Sequence, residues 1–122
     1  MRMKNKTTLI TGASNGMGAA EAKLFANEGS HVILADIQDD LGEKLTEEIN
    51  QSGGSAEYFH LDVTDEYNWE TMILNIKERS MKLDVLVNNA GISASSPDLL
   101  NIDIFDNVMK VNTRGVFLGM KY

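Results

Sequence analysis

The chain has 122 residues, 43% hydrophobic and 24% charged, an ordinary globular mixture that fits one domain rather than a disordered or fibrous chain. Its 11 Lys and Arg against 18 Asp and Glu leave a formal charge of −7, so no basic field is present to attract nucleic acid, and no nucleic-acid partner is expected. The absence of cysteine excludes disulfides, thiolate metal sites and thiol nucleophiles; His31 and His60 lie too far apart to suggest a ligand cluster, so no metal is assigned.

The first residues, Met1-Arg2-Met3-Lys4-Asn5-Lys6, are basic, but the apolar stretch behind them is only Leu9-Ile10, too short for a signal-peptide core. No later apolar run approaches the length of a membrane span. A soluble, cytoplasmic protein with no membrane partner is expected.

Strand and helix patterns then alternate along the whole chain, the mark of an α/β fold whose parallel sheet carries helices on its faces. The first strand is Thr7 to Thr11, followed by a helix from Gly16 to Asn27 with Ala20, Leu24 and Phe25 as its apolar stripe and Gly29 as its stop. The second strand, His31 to Asp36, is an unbroken β-branched and apolar run, as expected where both sheet faces are covered. It belongs near the sheet centre.

A second helix, Asp39 to Gln51, places Leu41, Leu45 and Ile49 four residues apart and ends at Gly53-Gly54. The third strand, roughly Ser55 to Leu61, is mixed in character, as an outer strand would be. The third helix, Asp65 to Ser80, buries Trp69, Met72, Ile73 and Ile76, and the fourth strand is Leu83 to Asn88. A loop, Asn89 to Leu100, contains the only proline, Pro97, and a last helix runs from about Asp103 to the end. Its apolar residues Ile104, Phe105, Val108, Met109, Val111, Val116, Phe117 and Met120 cover more than one stripe and predict burial on two sides. No internal repeat, low-complexity segment or linker is present.

The turn Thr11-Gly12-Ala13-Ser14-Asn15-Gly16-Met17-Gly18 leaves a strand and opens a helix. Glycines there let a diphosphate approach the backbone, and the free N–H groups and helix dipole favour its charge. The spacing is Gly-x-x-x-Gly-x-Gly, and Met17-Gly18-Ala19 lacks the Lys and Ser or Thr of a nucleoside-triphosphate loop. The turn alone would also serve tight helix-to-strand packing.

Asp36 ends the second strand where an acid can accept hydrogen bonds from the adenosine ribose, each worth roughly 1.5–3 kcal/mol. The same carboxylate opposes a 2′-phosphate by about 4 kcal/mol at a separation of ~4 Å and an effective dielectric near ~20. Neither Asn15 nor Ile37 supplies a cation to offset that repulsion. NAD is therefore expected over NADP, with a solvated strand-end acid as the alternative.

At this point the residues resemble the short-chain dehydrogenase/reductase family, in its single-domain branch. Thr11 to Gly18 resembles the family's Thr-Gly-x-x-x-Gly-x-Gly turn, Asp62-Val63 its adenine-contacting pair, Asn88-Asn89-Ala90-Gly91 its Asn-Asn-Ala-Gly segment, and Val111-Asn112-x-x-Gly115 its active-site helix. The resemblance implies a Rossmann-type doubly wound sheet, truncated after the fourth strand and its helix. Cofactor contacts are expected at Gly12, Ser14, Asn15, Gly16, Met17, Gly18, Asp36, Ile37, Asp62, Val63, Asn89, Ala90 and Gly91.

Physically, Asp62 lies at the carboxyl edge of the sheet, where its oxygens can accept from an adenine amino group; helix capping is better served by Thr64 or Asp65. Asn112 is the polar exception in an apolar helix, able to hold a local bend or a water. By resemblance it is the one catalytic candidate, an asparagine that holds the family's lysine through water.

The resemblance also implies an acid/base tyrosine, a lysine and a substrate-binding serine, for an alcohol or ketone substrate. None of the three is identifiable: Tyr58 is followed four residues on by Asp62, Tyr67 by Thr71, and Tyr122 is the last residue, while Ser93, Ser95 and Ser96 precede the place of the family serine. Family chains are roughly twice as long, so the sequence reads as the amino-terminal, cofactor-binding half of an oxidoreductase, inactive alone. A fourth strand with no fifth beside it would leave Val85 and Val87 on a long apolar edge, through which the chain alone would aggregate or dimerise, or it would fold poorly. The alternative is a non-catalytic dinucleotide-binding or interaction module. The apolar last helix implies a homo-oligomer for a full-length form, unless an intramolecular face accounts for it.

Overall fold

The computed structural model describes residues 1–122 apart from Ser95 and Leu99. The apolar runs form four strands, β1 (Thr7–Thr11), β2 (His31–Asp36), β3 (Ser55–His60) and β4 (Val85–Val87). All pair in parallel, in the order β3-β2-β1-β4. The helices between them are α1 (Gly16–Asn27), α2 (Asp39–Gln51) and α3 (Glu66–Glu78), and β4 is followed by α4 (Ile102–Met109), a π turn (Lys110–Arg114) and α5 (Gly115–Lys121). This is the truncated, doubly wound Rossmann-type arrangement anticipated from the sequence.

Successive side chains of a strand point to opposite faces, so the continuous run of β2 feeds two cores at once. Val32 and Leu34 pack with Ile10, Ala22, Ala26, Leu45 and Ile49 beneath α1 and α2. Ile33 and Ala35 pack with Leu9, Trp69, Met72, Ile76 and Leu118 beneath α3 and α5. Burial of each large side chain contributes roughly 1.5–3 kcal/mol, which makes β2 the most heavily committed strand.

The helix faces differ from the expected ones in two places. In α1 the buried residues are Gly18, Ala22 and Ala26, whereas Ala20 and Leu24 are exposed and Phe25 is half-buried. The helix lies close to the sheet, so its contact stripe is made of the smallest side chains and the leucine is displaced outward. In α2, Leu45 and Ile49 are buried as expected, but Leu41 is exposed and Gly42 takes the inward position, against the ring of Tyr58. In α3, Trp69, Met72 and Ile76 are buried and Ile73 is half-buried.

Helix ends follow local chemistry. Gly29, at φ +93°, closes α1: its N–H donates to the Ala26 carbonyl and that of Ser30 to the Phe25 carbonyl. The Asp65 carboxylate accepts from the N–H groups of Tyr67 and Asn68 at the start of α3. β4 is shorter than the predicted Leu83 to Asn88 because only Val85 to Val87 pair with β1, after which Asn89 turns back onto Thr11.

The last helix departs most from expectation. It starts at Ile102, one residue before Asp103, and is interrupted by the π turn. Gly115, Leu118 and Gly119 are buried, but Phe105, Met109, Phe117 and Met120 are exposed, so one side is covered within this chain and the other is open. Among the described residues no helix is long and apolar enough to cross a membrane.

Candidate cofactor site

A cleft of about 320 Å³ opens at the carboxyl ends of the strands. It sits where the connections leaving β1 and β4 diverge to opposite faces, the position at which open α/β sheets hold their ligands. Gly12, Asn15, Gly16 and Met17 line it from the first turn, and Asp36, Ile37 and Gln38 from the end of β2. Leu61, Asp62 and Val63 follow β3, Asn89, Ala90, Gly91 and Ile92 follow β4, and Val111 comes from the π turn.

The glycine turn presents the start of α1 to this cleft. Gly16 has φ +55°, and a Cβ there would meet nothing within 4 Å, so the backbone faces open space. The helix ladder begins with the Ala19 N–H on the Asn15 carbonyl, Asn15 makes no side-chain cap bond, and the first turn has no acid. By contrast, α3 and α4 are capped by the side chains of Asp65 and Asn101. An uncapped helix start over a bare glycine suits an anionic diphosphate.

Two predicted turn residues do not line the cleft. Gly18 is buried beneath it, where a Cβ would collide with the Gly12 carbonyl and stand 2.5 Å from Asn89 Nδ2. Ser14 is also buried: its N–H donates to Asp36 Oδ2 at 3.0 Å and its hydroxyl to the Gln38 carbonyl at 3.3 Å. Both residues shape the turn from behind.

Asp36 is held at both ends. Its Oδ2 accepts from Ser14, its Oδ1 from the Gln38 N–H at 3.1 Å, and its backbone carbonyl from the Leu61 N–H at 3.0 Å and the Tyr58 hydroxyl at 2.6 Å. A carboxylate has about four lone-pair positions, so two remain for a ligand. Ile37 beside it is exposed and uncharged.

The other walls are stitched to the turn. The Asn89 side-chain amide donates to the carbonyls of Thr11 and Gly12, both at 3.1 Å, while the Thr11 hydroxyl accepts from the N–H groups of Asn89 and Ala90. Asp62 Oδ1 accepts from the Thr64 N–H and hydroxyl at 2.9 and 2.7 Å, closing a tight turn before the Asp65 cap. Asn112 does not line the cleft itself. Its Oδ1 accepts from the Ile92 N–H and its Nδ2 donates to the Ile92 carbonyl, both at 2.8 Å, clamping the wall after β4. From the same π turn, Arg114 Nη1 donates to the Thr64 carbonyl at 2.6 Å, so one irregular turn secures two walls.

Gln38, Leu61, Ile92 and Val111 line the cleft without having been named as cofactor contacts from the sequence. Each adjoins a predicted residue, and that adjacency was the available signal. Ser93 and Ser96 lie beyond Ile92 on a separate shallow surface, and Ser95 is outside the described residues.

The sequence pattern described as short chain dehydrogenase matches residues 6–122. The chain is 43% identical over 123 residues to the uncharacterized oxidoreductase YxbG of Bacillus subtilis, covering 99% of this chain and 45% of that protein. It is 41% identical over 122 residues to the cyclopentanol dehydrogenase of Comamonas sp., covering 98% of this chain and 48% of that one. Among solved structures, a short-chain type dehydrogenase/reductase from Mycobacterium marinum superposes with a TM-score of 0.89 at 31% identity, over 98% of this chain and 49% of that one. The chain spans about half the length of the curated relatives it matches.

Proposed function

The chain belongs to the short chain dehydrogenase family, whose chemistry is NAD(P)-linked redox, and on that premise we propose that it is the cofactor-binding half of an NAD-dependent oxidoreductase interconverting an alcohol and a ketone or aldehyde. The observation that carries the NAD assignment is Asp36: a fixed carboxylate on the cleft wall, with two acceptor positions free and the uncharged Ile37 next to it. Relatives named for alcohols, cyclopentanol dehydrogenase and the trans-4-hydroxycyclohexanecarboxylate dehydrogenase of Sinomonas cyclohexanicum, support the substrate class.

When bound, the nicotinamide supplies the hydride acceptor or donor. The chain's own residues bind and orient. The N–H groups at Gly16 and Met17 meet the diphosphate, Asp36 accepts from the ribose hydroxyls, Asp62 and Val63 receive the adenine, and Asn89 to Gly91 flank the rest of the cofactor. Asn112 keeps the wall after β4 in place, and in a longer protein it would hold the family's lysine through water. Acid/base chemistry is assigned to a tyrosine and lysine outside these residues.

The test is a fluorescence titration of this chain with NADH and NADPH. NADH is expected to bind about a hundredfold more tightly, as a repulsion of a few kcal/mol predicts. Equal binding, or tighter NADPH, would reject the NAD assignment. Asp36→Ala with Ile37→Arg should move the preference toward NADPH.

A further inference from the structure

We propose that Tyr58 is a positioning residue for nucleotide selectivity, fixing through its hydroxyl the stretch of backbone that carries Asp36. This rests on the reading of Asp36 given above and extends it to a residue that does not line the cleft.

Tyr58 lies on β3, in register with Leu34 of β2, two residues short of Asp36. Its ring reaches past the strand end over α2, where Gly42 leaves room for it: a Cβ at that position would run into the ring. The hydroxyl then stands 2.6 Å from the Asp36 carbonyl and 2.6 Å from Asp39 Oδ1. Asp36 and Asp39 bracket the short β2–α2 turn, so one phenol spans the segment containing Ile37 and Gln38.

A single O–H has one proton for these two acceptors. A second donor is close by, because His60 Nδ1 lies 2.7 Å from the same Asp39 oxygen. His60 also donates to Asp39, and the phenol proton is shared between the Asp39 carboxylate and the Asp36 carbonyl, which also accepts from the Leu61 N–H, so the one hydroxyl ties the two ends of the turn together. Burial and the Asp39 carboxylate push the phenol well above its ordinary titration range, so it stays a donor.

The consequence for selectivity follows from geometry. Repulsion of a 2′-phosphate and hydrogen bonding to a ribose both depend on where the Asp36 carboxylate stands, and hydrogen bonds weaken steeply with misalignment. The N–H groups of Ser14 and Gln38 hold the carboxylate oxygens, but the Gln38 N–H belongs to the turn that Tyr58 restrains. Removing the hydroxyl frees that turn and the carboxylate with it.

The experiment is Tyr58→Phe in this chain, which keeps the ring on Gly42 and removes only the hydroxyl. It is read by NADH and NADPH titration and by amide hydrogen exchange at Gln38 and Leu61. NADH affinity should fall about tenfold while NADPH affinity changes less than about threefold, narrowing the selectivity, and exchange at both amides should accelerate. An unchanged NADH/NADPH ratio, or equal loss of both affinities, overturns the proposal while leaving the Asp36 assignment standing. A parent chain that binds neither nucleotide overturns both, even if exchange accelerates in the variant. The two failures are thereby distinguished.

Discussion

The Ser14 N–H donates to the Asp36 carboxylate at 3.0 Å, joining the glycine turn after β1 to the end of β2. The residue proposed to select the nucleotide is therefore also part of what folds the turn. Asp36→Ala removes this bond and the one from the Gln38 N–H, and leaves the Ser14 N–H buried without an acceptor. Hydrogen bonds to a charged acceptor are worth about 1.5–3 kcal/mol each, so urea unfolding should show a loss of roughly 3 kcal/mol, and Asp36→Asn a smaller one. A fully stable Asp36→Ala chain would show that the carboxylate serves the ligand alone.

Gly16 and Gly18 should separate binding from folding. Alanine at Gly18 drives a methyl into the Gly12 carbonyl and the Asn89 side chain, rigid neighbours that also anchor the turn. Overpacking of this kind costs about 1–3 kcal/mol or more, and thermal unfolding should fall accordingly. Alanine at Gly16 meets no atom and incurs only the strain of its left-handed φ, about 1–2 kcal/mol. Its methyl projects into the cleft, so NADH affinity should fall more than stability does.

The contrast between these glycines shows what a sequence can display. The parallel sheet, with β2 near its centre and β3 on the outside, was legible because β2 is an unbroken apolar run, β3 is mixed in character and helical segments alternate with the strands. The turn and Asp36 were legible because ligands of such sheets bind at one edge, where both stand, and Asp62 because its segment resembles the family's adenine-contacting pair; all three border the cleft. The face of α1 was misread because hydropathy favours Leu24, whereas the sheet approaches too closely for anything larger than Gly18, Ala22 and Ala26. Asn112 stood out as polar in an apolar helix, but its partner Ile92 lies 20 residues away and bonds through its backbone, which no side-chain pattern reports. The Tyr58 hydroxyl was hidden for the same reason, since its partner at Asp36 is a carbonyl.

Stability should fall on acidification, through carboxylates held in ionised form by the fold. The Thr7 N–H and the Lys82 and Lys6 ammonium groups hold Asp84 below its ordinary value of 3.8. At Glu57, burial acts upward, but hydrogen bonds from Arg79 and His31 outweigh it and set the group below 4.5. A carboxylate with a lower pKa in the folded state gives its full contribution above the unfolded value and loses it as pH falls through the folded one. Thermal midpoints should therefore be flat near neutrality and drop below about pH 4. Asp84→Asn should be less stable than the parent at neutral pH and lose less on acidification; an identical acid limb in the two chains would remove Asp84 from the account.

Asn112 should act locally rather than on the whole fold. Its amide pairs with both backbone groups of Ile92, as a neighbouring strand would, and these groups are exposed enough for water to replace it. Replacement by water limits the global cost, so Asn112→Ala should change urea unfolding by only about 1 kcal/mol. Among the described residues the wall after β4 has no other hydrogen bond to the π turn, so Ile92 amide exchange should accelerate about tenfold, the signature of local opening. Asn112→Asp retains the acceptor for the Ile92 N–H but sets a second carboxylate oxygen against the Ile92 carbonyl, and should loosen the wall at least as much as alanine does. Because Ile92 and Val111 both line the cleft, NADH affinity should fall in both variants. Equal losses in global unfolding and in Ile92 protection would instead place the π turn within the cooperative core, where its exposed residues and weak burial give it no reason to be.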